Sequence, residues 1–314
     1  MTMHLAVYLP LVAPLLAGGS ARWLAQRLDP RVATWLLTTA GVVLAMASGA
    51  ALTALAATAI GRVPWVARLG HWSVDVLRRN DPPSLYLALA AGIGVSVALG
   101  ASIRVLCRRV GAIINAGRRA RCLPGVGQLV VLDDPNPDAY ALPGRPGRIV
   151  VSTGMLDALD PRERRVLLAH ERAHLACTHH LFVVAAQLAA ATNPLLRPVA
   201  TAVVYTTERW ADEHAATSIG DRGLTARTIG KAALLTTHGH PPAGALAVAG
   251  RGPKDERGIG PVPRRVAALL APPVRHRPVL LGIVLVTLMI ASGAAVEAAH
   301  DLHGLFELAR AAGS

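Results

Sequence analysis

The segment His170-Glu171-Arg172-Ala173-His174 holds the residues best suited to chemistry. On a helix, two histidines four apart project from one face, about one turn apart. Both rings can then reach a single zinc ion at roughly 2.0–2.1 Å. Glu171 follows the first histidine directly, where a carboxylate can take a proton from an attacking water. Further along, Glu208-Arg209-Trp210-Ala211-Asp212 puts two carboxylates on one helical face. Glu208 can complete a His, His, Glu ligand set. Asp212 can accept from the free ring nitrogen of a ligating histidine and fix its tautomer. The plain alternative for this segment is a solvated acidic face that includes Glu213. His179 and His180 are read as ending the first helix, and His214 follows the acidic pair. His179 and His214 either stand behind a ligand or are structural or solvated. Cys177 is read as a small buried residue and not a ligand.

Helices must hold these groups in place. Asp160-Pro161-Arg162-Glu163 reads as a helix start: an Asp cap, a proline preset for the first turn and a Glu that completes a capping box. Val166, Leu167 and Leu168 give that helix a face to bury. A second apolar run, Leu181 to Tyr205, is broken by Asn193-Pro194. It predicts two short helices of about 12 and 11 residues, each below a spanning length. A hairpin embedded in the membrane is the competing reading.

The chain has 314 residues, of which 53% are hydrophobic and only 16% charged. Its mean hydropathy of +0.42 calls for membrane spans. Four are predicted: Leu5–Leu16 with Pro10 and Pro14 inside it, Val32–Ile60, Ser84–Leu106 and Val279–Val296. No Lys or Arg precedes the first, so it reads as a retained span and not a signal peptide. Three domains follow: residues 1–106 with three spans and their loops, 107–277 as a metallopeptidase domain, and 278–314 with the fourth span and a short tail. The fold class is a mainly α membrane protein, with four transmembrane helices and a zincin-like α+β domain inserted between the third and fourth spans.

Net charge is +13, and Lys231 and Lys254 are the only lysines. Arginines Arg22, Arg27 and Arg31, and Arg104 through Arg121, flank spans and place these segments in the cytoplasm. The chain is then a multi-pass cell-membrane protein with its peptidase domain cytoplasmic and both termini outside. Arg62, Arg68, Arg78 and Arg79 in the loop of residues 61–83 pull the other way. Basic residues and aromatics are not interleaved, so no direct nucleic-acid contact is expected. Three cysteines with no paired spacing give no disulfide framework. Gly239–Pro263, rich in Gly and Pro, reads as a surface loop.

In layout and motif the chain resembles the BlaR/MecR family of membrane zinc peptidases, the antirepressors of beta-lactam resistance. More distantly it is similar to the HtpX and prenyl-protease families. Val130-Val131-Leu132 and Asp138-Ala139-Tyr140-Ala141 look like the Asn-Ala-Phe-Ala stretch of those relatives, with Asp138 in place of the Asn. Arg148-Ile149-Val150-Val151-Ser152 resembles their next strand. Arg264-Arg265-Val266 looks like the basic segment before the last span. The resemblance implies a zinc cofactor and lipid surroundings. It also implies a protein substrate, a winged-helix repressor of the BlaI/MecI type, and self-cleavage. Ile149, Val150, Val151 and Ser152 would offer an exposed strand edge to an extended peptide. About 18 residues follow the last span, too few for a penicillin-binding sensor domain. Direct acylation by a beta-lactam is therefore not expected. Self-association is left open. Two other readings are an HtpX-like quality-control protease and a non-catalytic receptor or scaffold with a vestigial metal site.

Overall fold

The computed structural model describes residues 3–61, 68, 85–123, 127–236, 246–247, 260–274 and 278–311. Three long helices come first: α1 (Met3–Arg27), α2 (Pro30–Gly61) and α3 (Leu85–Cys122). Asp29 makes the turn between α1 and α2. Its carboxylate accepts from the amides of Arg31 and Val32 at 3.0 and 3.2 Å, and Pro30 supplies the preset φ of a first turn.

Helices α2 and α3 are each long and apolar enough to cross a membrane. Their surroundings differ: 56% of the apolar window of α2 is buried within the protein, against 11% for α3. The other helices thus gather on α2, while α3 turns an apolar face outward. Two of the four expected spans meet the length and composition needed. The first lies in α1, which runs on to Arg27. The fourth opens the last helix, α10 (Pro278–Ala311), where the apolar helical part covers Pro278–Ala294. The loop of residues 61–83, apart from Gly61 and Arg68, lies outside the described residues, as does most of Gly239–Pro263.

The third expected span does not stop at Leu106. No proline follows before Pro124, and the residues between form helix readily. The extension carries the sheet: Ala116 and Ala120 pack against Leu142 and Val150. Four strands make that sheet, β1 (Leu129–Leu132), β2 (Ala139–Leu142), β3 (Arg148–Ser152) and β4 (Leu246–Ala247), in the order β1-β3-β2-β4. β1 runs parallel to β3, and β2 is antiparallel to both β3 and β4. This corrects one expectation. Ile149, Val150, Val151 and Ser152 form no open edge, because β3 is paired on both sides and buried along its whole length. An unbroken apolar run is what such an inner strand needs.

Short helix α4 (Thr153–Ala158) follows, capped by the Ser152 hydroxyl, which accepts from the Met155 amide at 3.1 Å. Then come α5 (Pro161–Ala176), α6 (His179–Thr192), a single 3₁₀ turn at Pro194–Leu196, α7 (Arg197–Ile219), α8 (Arg222–Leu235) and α9 (Pro261–Leu270). The break falls at Asn193-Pro194, as the proline requires. The second helix is longer than expected, with 23 residues. Phe182, Ala186, Ala189, Leu196, Val199 and Val203 pack with Leu24 of α1, Leu28 of the turn, and Leu36 and Leu37 of α2. At the tip, Asn193 Nδ2 donates to Ser48 Oγ at 3.1 Å, and Ser102 and Thr192 share a hydrogen bond of 2.9 Å. The apolar pair is thus a hairpin built into the helical bundle. Helix α5 belongs elsewhere: Leu167 packs with Ile149 and Val151 of the sheet, outside that bundle.

Candidate metal centre

Helix α5 begins as its sequence dictates. Asp160 Oδ1 accepts from the amides of Arg162 and Glu163 at 2.7 and 2.9 Å, and Glu163 Oε2 accepts from the Asp160 amide at 3.0 Å. Lys231 adds an ion pair to Glu163 at 2.7 Å. Val166 and Leu167 turn inward and carry His170, Glu171 and His174 with them. All three are fully buried, at 0% exposure.

The other carboxylates come on α7, which leaves the bundle and runs past α5. Nε2 of His170 and Nε2 of His174 lie 3.1 Å apart. Glu208 reaches them at 3.8 and 3.5 Å. One ligand atom from each of the three residues lies within 4.8 Å of the others. Behind them, Asp212 Oδ1 is 3.0 Å from His170 Nδ1.

A residue not expected at the site closes it. Arg265 of α9 donates from Nε and Nη2 to the two oxygens of Asp212, both at 2.7 Å, and its Nη1 lies 2.9 Å from Glu208 Oε2. It is the largest fully buried side chain among the described residues. One sequence signal was there: Arg265 shares a helical face with Leu269, the other buried residue of α9, so a charge stands on an apolar stripe.

One histidine expectation changes. His179 and His180 do not end the metal helix. That helix stops at Ala176, Thr178 takes a left-handed φ of 51°, and His179 opens α6. The axis bends by 58° there. The bend returns the His179 ring to the site, with its Nδ1 2.9 Å from His174 Nδ1. His214 is exposed and stands apart from the ligands. Cys177 only caps α5. Asp138 is half-buried before β2, and its Oδ1 accepts from the Ala139 amide at 2.9 Å.

Burial governs the charges. It pushes Glu171 well above the ordinary carboxylate range, and the nearby charge of Glu208 pushes it further, while Arg265 opposes. Asp138 is also raised, chiefly by burial, and its charge adds to the shift of Glu171. Asp212 goes the other way. Burial would raise it, but Arg265 and His170 together hold it far below its usual range.

The donor set fits a divalent cation. Asp212, held ionised, can only accept, so a proton on Nδ1 of His170 would face it and leave Nε2 bare towards a cation. Burial, first, and the neighbouring histidines push His174 well below the usual imidazole range, so it is neutral. If His174 places its own proton on Nδ1, two lone pairs and a carboxylate face one point. A cation with nitrogen and oxygen ligands resolves that repulsion, and this ligand set suits zinc. Both oxygens of Glu171 are buried with no hydrogen-bond partner among the described residues.

Residues 108–193 match the model of Peptidase family M48. That supports a metallopeptidase. The matched stretch contains His170, Glu171 and His174 and ends before Glu208. No curated protein and no solved structure matches the chain.

Proposed function

We propose that the chain is an integral-membrane zinc metalloendopeptidase of the HExxH type, a regulatory protease that cleaves a winged-helix repressor, and its own chain, on an envelope or antibiotic signal. The observation that carries this reading is the convergence of His170, His174 and Glu208 beside a buried Glu171 whose oxygens have no hydrogen-bond partner among the described residues. Zinc at that point would supply Lewis acidity, acidifying water and polarising a carbonyl. The protein supplies the rest. Glu171, raised by its surroundings, takes the proton of the attacking water and passes it to the leaving amine. Asp212 fixes the ring of His170. Arg265 holds both carboxylates in place.

Substrate backbone would pair with β2, whose Ala141 amide faces Glu171 and offsets a small part of the rise in its pKa. The chain's own Leu246–Ala247 already pairs there, antiparallel to Tyr140 and Ala141. That internal occupant supports the self-cleavage part of the reading. We place the site in the cytoplasm. Arg209 donates to Ala25 O at 2.8 Å and Arg31 stacks on Trp210 at 5.7 Å, so the α1–α2 turn and its arginines share the side of the metal centre.

The test is Glu171→Gln in the purified full chain, with a candidate winged-helix repressor as substrate. Loss of a general base should slow cleavage by about 10²–10⁴. Cleavage at the wild-type rate would overturn the mechanism. A second reading, quality control of membrane proteins, is favoured by α7 itself, because Glu208 stands on the helix that packs into the bundle through Val199 and Val203. It predicts broad cleavage of misfolded membrane proteins and a stress phenotype that survives deletion of a neighbouring repressor gene.

A further inference from the structure

The two histidines of the centre are held from behind by different chemistry. His170 has a carboxylate at its Nδ1. His174 has another imidazole, that of His179, at 2.9 Å. The His179 ring is fully buried, stands edge-on to His174 with centroids 4.9 Å apart, and leans on Trp210 at 4.8 Å. Its Nε2 is buried with no partner among the described residues. Thr178, the residue just before it, takes a left-handed φ of 51°. Such a φ is unfavourable for a β-branched residue, so the chain tolerates strain in placing this ring.

We propose that His179 is a positioning residue that fixes the tautomer and orientation of His174 and thereby sets metal affinity. This rests on the metallopeptidase reading. The logic is one of protons. His174 can bind a metal through Nε2 only if its proton sits on Nδ1. Nδ1–H then donates, and His179 Nδ1 must accept. His179 therefore carries its own proton on Nε2, directed away from the ligand. The opposite arrangement, with His179 donating, would put a proton on His174 Nε2 and close the metal position. A neutral acceptor also leaves His174 a weaker donor to the metal than His170, whose partner is anionic. Charge at the centre is thus neutralised from the Asp212 side, while the His179 side stays uncharged.

The experiment compares His179→Phe with His179→Asn in the full-length protein in detergent. Phe keeps a ring against Trp210 and removes the acceptor. Asn keeps a carbonyl oxygen that can accept. Zinc affinity is measured by competition with a chelator. The visible spectrum of the cobalt-substituted protein reports ligand geometry, and melting of the metal-free form reports folding. Phe is expected to weaken zinc about 10–100-fold and to alter the cobalt spectrum, with little change in metal-free melting. Asn is expected to recover part of the affinity. Wild-type affinity and spectrum in His179→Phe overturn the proposal. If His179→Phe does not fold, the proposal falls where His179→Asn folds and binds no tighter than a His174→Ala control. If the wild-type chain itself takes up neither zinc nor cobalt, the metallopeptidase reading fails first.

Discussion

The two halves of α7 are buried in opposite ways. From Val199 to Val203 the helix shows α1 and α2 an apolar face, with Val199, Ala200, Ala202 and Val203. From Thr206 to Asp212 it buries Thr206, Thr207, Glu208, Arg209 and Asp212. In the first half, burial is spread over many small contacts, and no single partner is indispensable. In the second, every group depends on a named one. Thr206 and Thr207 return their hydroxyls to the carbonyls of Val203 and Val204, at 3.0 and 2.8 Å. Arg209 uses Ala25, and Asp212 uses Arg265 and His170. The difference teaches where the chain is tolerant and where it is brittle. Removing one member of a buried polar set leaves another uncompensated in a medium that solvates it poorly.

The largest expected effect follows from that contrast. Arg265→Met removes the cation between Glu208 and Asp212. In the metal-free protein it should cost about 3–5 kcal/mol, the usual result of breaking a buried pair from one side. Leu196→Met, in the 3₁₀ turn that leads into α7 and packs in the same apolar cluster as Val199 and Val203, should cost less than about 1.5 kcal/mol. Denaturant unfolding of both variants in detergent checks this. Equal losses would remove the distinction between the two halves.

The same contrast explains what could be read in the sequence. Asp160, Pro161 and Glu163 act within one turn, so the capping box was legible, as were the i, i+4 spacing of His170 and His174 and the break at Asn193-Pro194. Arg265 was not legible as a site residue, because its partner Asp212 lies 53 positions away in sequence, Glu208 lies further still, and only the packing of α9 on α7 brings them together. The neighbours of β3 were equally hidden, since strand order is set by long-range pairing and not by the residues of one strand. The place of His179 at the start of α6 is not legible either, because the signal that ends α5 is a left-handed Thr, a residue that rarely takes that conformation.

A smaller effect, of the opposite sign, is expected at Glu171. Burial raises its pKa in the folded chain. Its contribution to stability is fully present below the unfolded value, near pH 4.5, and is lost as pH rises through the folded value. At neutral pH its carboxylate therefore destabilises the metal-free fold. Glu171→Gln should raise the melting temperature of that form, with a gain that grows from about pH 5 upwards until the folded group has titrated. A gain that shrinks with rising pH would show that the buried carboxylate is stabilised by partners, as Asp212 is. Measured beside the loss of cleavage, this separates a group kept for chemistry from one kept for packing.

The smallest effect belongs to the apolar bundle, and it limits how apolar that bundle is. Pro14 has no amide hydrogen, so the Pro10 carbonyl of α1 lacks its donor four residues on. Ser48 of α2 lies where it can supply one: its hydroxyl is 2.9 Å from Pro10 O and 2.7 Å from Leu44 O, and it accepts from Asn193. Ser48→Ala should cost only about 1 kcal/mol, since interhelical hydrogen bonds in apolar surroundings are modest. The informative measurement is a cycle with Pro14→Ala, which restores the amide and satisfies Pro10 O within α1. Part of the loss on Ser48→Ala should then vanish in the Pro14→Ala background, leaving the share due to Asn193. If the two substitutions are simply additive, Ser48 acts on the hairpin tip alone, and the Pro10 carbonyl is satisfied in some other way.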